Sequence, residues 1–259
     1  MSEIVQYVSG YEQGFNLETS YNWWLTRTFT SLFCILIIVT NRPVPATMAL
    51  KTLVKISNVT NLSDARYCAG MGVDMLGFSM DADSANYVAP ATFAEMRSWV
   101  AGVLIVGETT STDVGIIEQL LDAYQPDLLQ VDEGAMLPYL STFGNRPDGL
   151  RLILRVDLSQ LTLDQLETLF KTGSAGAEYI LLESNGPLHL DTDLKAVLQR
   201  LAGRYPVLLG TGISANNVHE LLTDLPVQGI ALSGGNEEQP GNKEFGELMD
   251  VLEAIEVEE

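Results

Sequence analysis

The sequence predicts an α/β fold, a single (β/α)8 barrel domain, and three observations predict it. From Lys51 onward, short apolar runs and amphipathic stretches alternate eight times over about 205 residues, the count and compactness of such a barrel. The apolar runs lack strict alternation with polar residues, as strands covered on both faces do. Glycines gather directly behind the seventh and eighth runs, where a barrel places ligand-binding corners. An open doubly wound sheet is the rival. It usually has fewer strands and wants a glycine-rich turn after the first one, and Ser57-Asn58-Val59-Thr60 contains no glycine.

The first unit organises the rest. Leu53 to Pro90 reads as an apolar strand, a polar corner at Ser57–Asn61, a helix from Leu62, a second apolar strand and a proline-headed helix. Asn61 or Ser63 can cap the first helix, and Gly70 and Gly72 stop it. Two parallel strands joined by a helix form a βαβ unit, which is nearly always right-handed. The strands are expected at Thr52–Ile56, Met75–Ser79, Gly102–Val106, Leu128–Val131, Leu150–Val156, Tyr179–Glu183, Val207–Leu209 and Gln228–Leu232. Helices are expected at Leu62–Met71, Pro90–Val100, Ser111–Tyr124, Gly134–Phe143, Thr162–Thr172, Asp191–Ala202, Ser214–Thr223 and Lys243–Ile255. In the third of these, Val114, Ile117, Leu120, Leu121 and Tyr124 recur at helical spacing, so one stripe faces the sheet. Ser111 or Thr112, Thr162 and Ser214 are the expected caps of their helices.

Composition bounds the partners. With 46% hydrophobic residues the chain can bury a large core. A net charge of −20 argues against nucleic acid and anionic membrane, which need clustered Lys and Arg. It leaves room for a small anion held by backbone amides. Cys34 and Cys68 have neither metal spacing nor a disulfide framework, which fits a reducing cytoplasm, and Cys68 reads as a buried small hydrophobe. Residues 1–47 differ in character, with few charges, Trp23, Trp24 and the apolar run Leu32–Val39. That run is too short to span a bilayer, and no signal-peptide pattern surrounds it. Met48 stands just ahead of the first strand. The segment before it is expected to be a poorly ordered extension from an upstream start, and the barrel domain to be 48–259; an amphipathic or membrane-leaning extension is the alternative.

In a barrel, chemistry sits at the C-terminal strand ends. The positions to inspect are therefore Ser57 and Asn58, Ser79 to Asp83, Gly107 and Glu108, Asp132 and Glu133, Asp157, Glu183 and Ser184, Gly210 to Gly212, and Ser233 to Asn236. Gly210-Thr211-Gly212 and Ser233-Gly234-Gly235 are expected to hold a phosphate through open backbone N–H groups. Ordinary tight turns are the plainer reading of the same glycines. Of the two histidines, His219 is expected on an outer surface and His189 near the mouth.

LVKISNVTNLSDA, GVDMLGF, S-x-x-Y-V-x-P, GTGISANNV and ALSGGNEEQPGNKE resemble the motifs of the phosphoribosylanthranilate isomerase family, the TIM barrels of tryptophan biosynthesis. The resemblance runs from about Lys51 to Ile255. It implies an Amadori rearrangement of N-(5-phosphoribosyl)anthranilate to the carboxyphenylamino-deoxyribulose phosphate, with no cofactor and no metal. A general acid protonates the ring oxygen and a general base takes the C2 proton. The family's base is the cysteine of K-I-C-G, matched here by Ser57, and its acid the aspartate of L-L-D, matched by Glu183. The arginine of S-x-R-x-V-x-P is matched by Asn86, the histidine of Q-L-H-G is lost at Asp132, and the aspartate of D-V-S-S-G is Ala231. Gly212, Asn217, Ser233, Gly235 and Lys243 keep family identities.

A serine hydroxyl alone is a poor base, so Asp132 and Asp157 are the candidates for a substituted base beside Glu183 as acid, with Ser57 standing at the family's base position. Gly210, Thr211, Gly212, Ser233, Gly234, Gly235 and Asn86 are the candidates for binding substrate and its phosphate. The expected partner is a small sugar phosphate, with no nucleic acid and no membrane for the barrel, in a cytoplasmic monomer or homodimer. A barrel that binds such an anion without isomerising it is the alternative. Another sugar-phosphate activity is the third reading, and no strand-end lysine favours an aldolase.

Overall fold

The computed structural model describes residues 49–132, 149–173, 176–186, 188–234, 237–239, 242–243 and 246–257. Eight parallel strands close into a barrel in sequence order. They are β1 (Leu53–Ser57), β2 (Met75–Ser79), β3 (Leu104–Thr109), β4 (Leu128–Asp132), β5 (Arg151–Asp157), β6 (Tyr179–Glu183), β7 (Val207–Leu209) and β8 (Gly229–Ser233). Closure is made by five in-register pairs between β1 and β8, from Leu53 against Gly229 to Ser57 against Ser233. The seven described helices are α1 (Leu62–Gly70), α2 (Pro90–Ser98), α3 (Val114–Tyr124), α4 (Leu163–Gly173), α5 (Thr192–Ala202), α6 (Val218–Asp224) and α7 (Gly246–Ala254). The extension expected over residues 1–47 and the helix expected at Gly134–Phe143 lie outside the described residues.

Local chemistry sets the helix starts. The Asn61 carboxamide accepts from the Asp64 N–H at 2.9 Å and caps α1. Thr162 and Gln165 form a reciprocal capping box ahead of α4. Two expected caps are replaced. Asp113, not Ser111 or Thr112, accepts from the Gly115 and Ile116 N–H groups at the start of α3, a carboxylate being the better acceptor there. Ser214 lies in a turn four residues before α6. The Asn217 side chain bridges that loop, accepting from the Ser214 N–H and donating to the Gly212 carbonyl, both at 2.8 Å.

Two elements differ further from expectation. β3 runs to Thr109 instead of stopping at Val106, pairing Ser79 with Glu108 and Glu108 with Gln130 on its two sides. A glycine and a glutamate read as loop in the sequence, but inside the barrel this glutamate finds a cation and the ladder continues. The last helix starts at Gly246 instead of Lys243, because Asn242–Lys243 pairs antiparallel with Glu237–Gln239.

Apolar side chains fill two compartments. Between strands and helices lies a layer that includes Ile56, Phe78, Phe93, Ile117, Phe170 and Leu252. Inside the barrel a smaller cluster, Met75, Val106, Leu128, Ile153, Leu181, Leu208 and Ala231, plugs the lower half. Each Val, Leu, Ile, Phe or Met among them stabilises the fold by roughly 1.5–3 kcal/mol when fully buried. Because side chains alternate along a strand, the next inward positions up are Lys55, Gly77, Glu108, Gln130, Arg155 and Glu183. The interior thus turns from apolar to charged toward the C-terminal ends, and the site sits on that boundary.

Candidate active site

A cavity of about 440 Å³ opens at the C-terminal mouth. It is lined by Ser57 and Asn58 after β1, Ser79, Asp81, Asp83 and Ser84 after β2, and Glu108 to Thr110 after β3; Gln130, Asp132, Arg155, Glu183 and Asn185 complete the wall. Five of these residues are carboxylic acids and one, Arg155, is a cation.

Arg155 organises one wall. Its Nε donates to Glu183 at 2.6 Å, and its two terminal nitrogens donate to Asp132 at 3.2 Å and to the Asn185 side-chain Oδ1 at 2.7 Å. Burial works against the guanidinium charge, but the bonds to Glu183 and Asp132 outweigh it and hold its pKa above the ordinary value. Glu183 fits beneath this fork because Gly210, the residue directly after β7, has no side chain: a Cβ there would lie 2.6 Å from the Glu183 Cγ.

The facing wall is built on Lys55, which is fully buried. Its Nζ donates at 2.5 Å to the Ser57 hydroxyl and at 2.5 Å to Glu108 Oε1. The other Glu108 oxygen accepts from the Asn58 N–H at 3.3 Å. Gln130, the register partner of Glu108 on β4, is buried with its side-chain oxygen unpartnered.

Ser57, Asp132 and Glu183 thus line one cavity. Asp157 does not; its carboxylate accepts from the Ser159 N–H and hydroxyl and from the Asn185 N–H and side chain. Burial pushes its pKa up, but these bonds and the Arg155 charge more than reverse that, leaving it below the ordinary carboxylate value. This carboxylate ties the loop after β5 to the one after β6 and does not line the cavity. Asn86 is also away from the lining, its N–H donating to the Ser84 hydroxyl.

At the glycine corners, the Gly210 N–H donates to the Leu182 carbonyl and the Gly234 N–H to the Ser57 carbonyl, so both amides serve the barrel. Thr211 is half-buried and Gly212 exposed, and the exposed Ser233 hydroxyl accepts from the Asn58 side chain at 3.2 Å. Gly235 lies outside the described residues. His189 lines a separate cavity with Lys195, Gly212 and Asn217, and His219 is exposed on α6. Cys68 is buried in α1. Among the described residues no group of three His, Cys, Asp or Glu could hold a metal ion, and no helix is long and apolar enough to cross a membrane.

Arg155, Lys55 and Glu108 are the functional candidates that sequence reasoning passed over or left unassigned. The signal was present: a basic residue at an inward position of an apolar strand needs a buried acid, and β1 and β5 each carry one.

Fold and mouth together define an α/β barrel whose C-terminal strand ends enclose a pocket of acids around one cation. A family model described as N-(5'phosphoribosyl)anthranilate (PRA) isomerase matches residues 54–254, and the chain belongs to that family. The N-(5'-phosphoribosyl)anthranilate isomerase of Maridesulfovibrio salexigens is 25% identical over 217 residues, which cover 80% of this chain and 99% of its own. The phosphoribosyl anthranilate isomerase structure from Thermotoga maritima superimposes with a TM-score of 0.65 at 20% identity, covering 79% of this chain and 98% of that one. A structure of the isomerase in complex with reduced 1-(o-carboxyphenylamino)-1-deoxyribulose 5-phosphate gives 0.63 at 19% identity, over 79% and 98%.

Proposed function

We propose that this barrel is a phosphoribosylanthranilate isomerase that converts N-(5-phosphoribosyl)anthranilate to its aminodeoxyribulose phosphate by Amadori rearrangement. The family match across nearly the whole barrel carries the reading, and a mouth holding an acid and a cation agrees with it.

Glu183 is the general acid. It protonates the ribose ring oxygen as the C1–O bond breaks and the anthranilate nitrogen forms an iminium. Arg155 receives the anthranilate carboxylate in place of the arginine missing at position 86. It lines the cavity, and its fork suits bidentate recognition of a planar anion. As the incoming carboxylate draws Arg155 off Glu183, the Glu183 side chain is released to carry a proton. The phosphate end lies against Thr211, Gly212 and Ser233. The unpartnered Gln130 oxygen accepts a substrate O–H or N–H.

The purified full chain should quench the fluorescence of enzymatically generated phosphoribosylanthranilate and restore growth of an isomerase-deficient tryptophan auxotroph. Glu183→Ala should abolish both. A wild-type chain that binds the reduced product analogue but supports neither would identify a binding barrel instead.

A further inference from the structure

The family thiol is absent at Ser57, which leaves the rearrangement without a base. We propose that Glu108 is that base, held ready by Lys55, and this rests on the isomerase reading above. Four observations carry it. Glu108 lines the same cavity as Glu183, and its residue is only 7% exposed. Its Oε1 and the Ser57 Oγ share one donor, Lys55 Nζ, through two 2.5 Å bonds, so those two oxygens lie no more than about 5 Å apart. The carboxylate therefore sits beside the position where the resemblance puts the family's base. Its second oxygen has a single long bond, 3.3 Å from the Asn58 N–H, and keeps lone-pair capacity for a substrate proton. Next to it, Gln130 presents a buried acceptor without a partner, suited to a substrate hydroxyl.

The other acids fit the task less well. Asp157 is bonded to Ser159 and Asn185 away from the cavity, and Asp132 is engaged by Arg155 on the wall that holds Glu183. Among the described residues Ser57 has no basic side chain accepting its own proton, and a serine hydroxyl alone is a poor base.

The steps balance. Glu108 takes the C2 proton, and the C–H electron pair becomes the C1=C2 bond while the C1=N pair returns to nitrogen, giving an enolamine. Glu108 then delivers its proton to C1. The enol hydroxyl proton passes to the Glu183 carboxylate as the C2 ketone forms, so both acids return to their starting states. No external oxidant or co-reactant is needed.

Glu108→Gln keeps a carbonyl for Lys55 but replaces the basic oxygen by an amide and removes the counter-charge of the buried ammonium. Positioned proton transfer contributes about 10²–10⁴-fold, so kcat should fall roughly 10³-fold in Glu108→Gln, while affinity for reduced 1-(o-carboxyphenylamino)-1-deoxyribulose 5-phosphate stays within threefold. A kcat within tenfold of wild type overturns the proposal and leaves the isomerase reading standing. An inactive wild type removes both. Should Glu108→Gln fail to fold, Glu108→Asp decides: it keeps the charge but withdraws the carboxylate by one methylene. A drop of about 10–100-fold in kcat with analogue binding retained is expected; wild-type turnover in that variant refutes the assignment.

Discussion

Lys55 on β1 and Glu108 on β3 meet at 2.5 Å across the inner face of β2, the strand that separates them. They can do so because the residue between them is Gly77. A Cβ at that position would lie 2.1 Å from Glu108 Oε1 and 3.0 Å from Lys55 Nζ. Gly77→Ala therefore forces the Glu108 head aside, and the fully buried ammonium loses its counter-charge. Breaking a buried pair costs about 3–5 kcal/mol. For a domain of this size that lowers Tm by roughly 6–20 °C. Differential scanning calorimetry of Gly77→Ala checks it, and an unchanged Tm would mean that the pair is not what fills this space.

The same pair predicts strong coupling. Lys55→Met should destabilise the barrel by about 3–5 kcal/mol, because it leaves a buried carboxylate uncompensated. Adding Glu108→Leu to that variant should restore part of the loss, since an apolar pair of similar volume pays no desolvation. Urea denaturation of the two single variants and the double variant gives the interaction energy. Contacting residues should depart from additivity by about 0.5–3 kcal/mol; simple addition would show that the two side chains act independently.

Arg155 is expected to govern substrate affinity. It donates to three different groups in one plane, to Glu183, Asp132 and Asn185. Lysine cannot reproduce such a fork. Arg155→Lys should raise KM for phosphoribosylanthranilate by about 10–100-fold, the equivalent of roughly 1.4–2.7 kcal/mol of lost binding. The increase should be larger than for an analogue lacking the anthranilate carboxylate. Equal changes for both compounds would remove Arg155 from carboxylate recognition.

Much of this molecule is legible in the sequence, for reasons that individual residues make plain. The order and type of the barrel strands follow from apolar runs such as Leu150–Val156, whose burial on both faces erases alternation. The cap at Asn61 follows from its chemistry. Glu183 could be placed in the mouth because it ends a strand. The extent of β3 was hidden, since Gly107-Glu108 reads locally as a turn and only a lysine 53 residues away makes it a strand. Arg155 was hidden likewise, being surrounded by apolar neighbours in sequence and by acids only in space. Asp157 misled in the opposite sense: a strand-end carboxylate looks catalytic until the serine two residues on and the asparagine after β6 are seen to consume it. Side chains whose partners are non-local carry no short-range signature.

Asp157 gives the last prediction, on acid stability. Its folded-state pKa is held below the ordinary value, chiefly by the Ser159 and Asn185 bonds acting against burial. An unfolded aspartate titrates near about 3.9. A depressed carboxyl contributes stability that is fully present above the unfolded pKa and disappears as pH falls through the folded one. Asp157→Asn removes that contribution and leaves the Ser159 and Asn185 donors facing a weaker acceptor, so the variant should be about 1–3 kcal/mol less stable at pH 7. The deficit should shrink between about pH 4 and pH 2, where the wild-type carboxylate is itself protonated. Urea midpoints for both proteins at pH 7 and across the acid limb test this. A deficit that stays constant down to pH 2 would assign the loss to packing instead of to the carboxylate's charge.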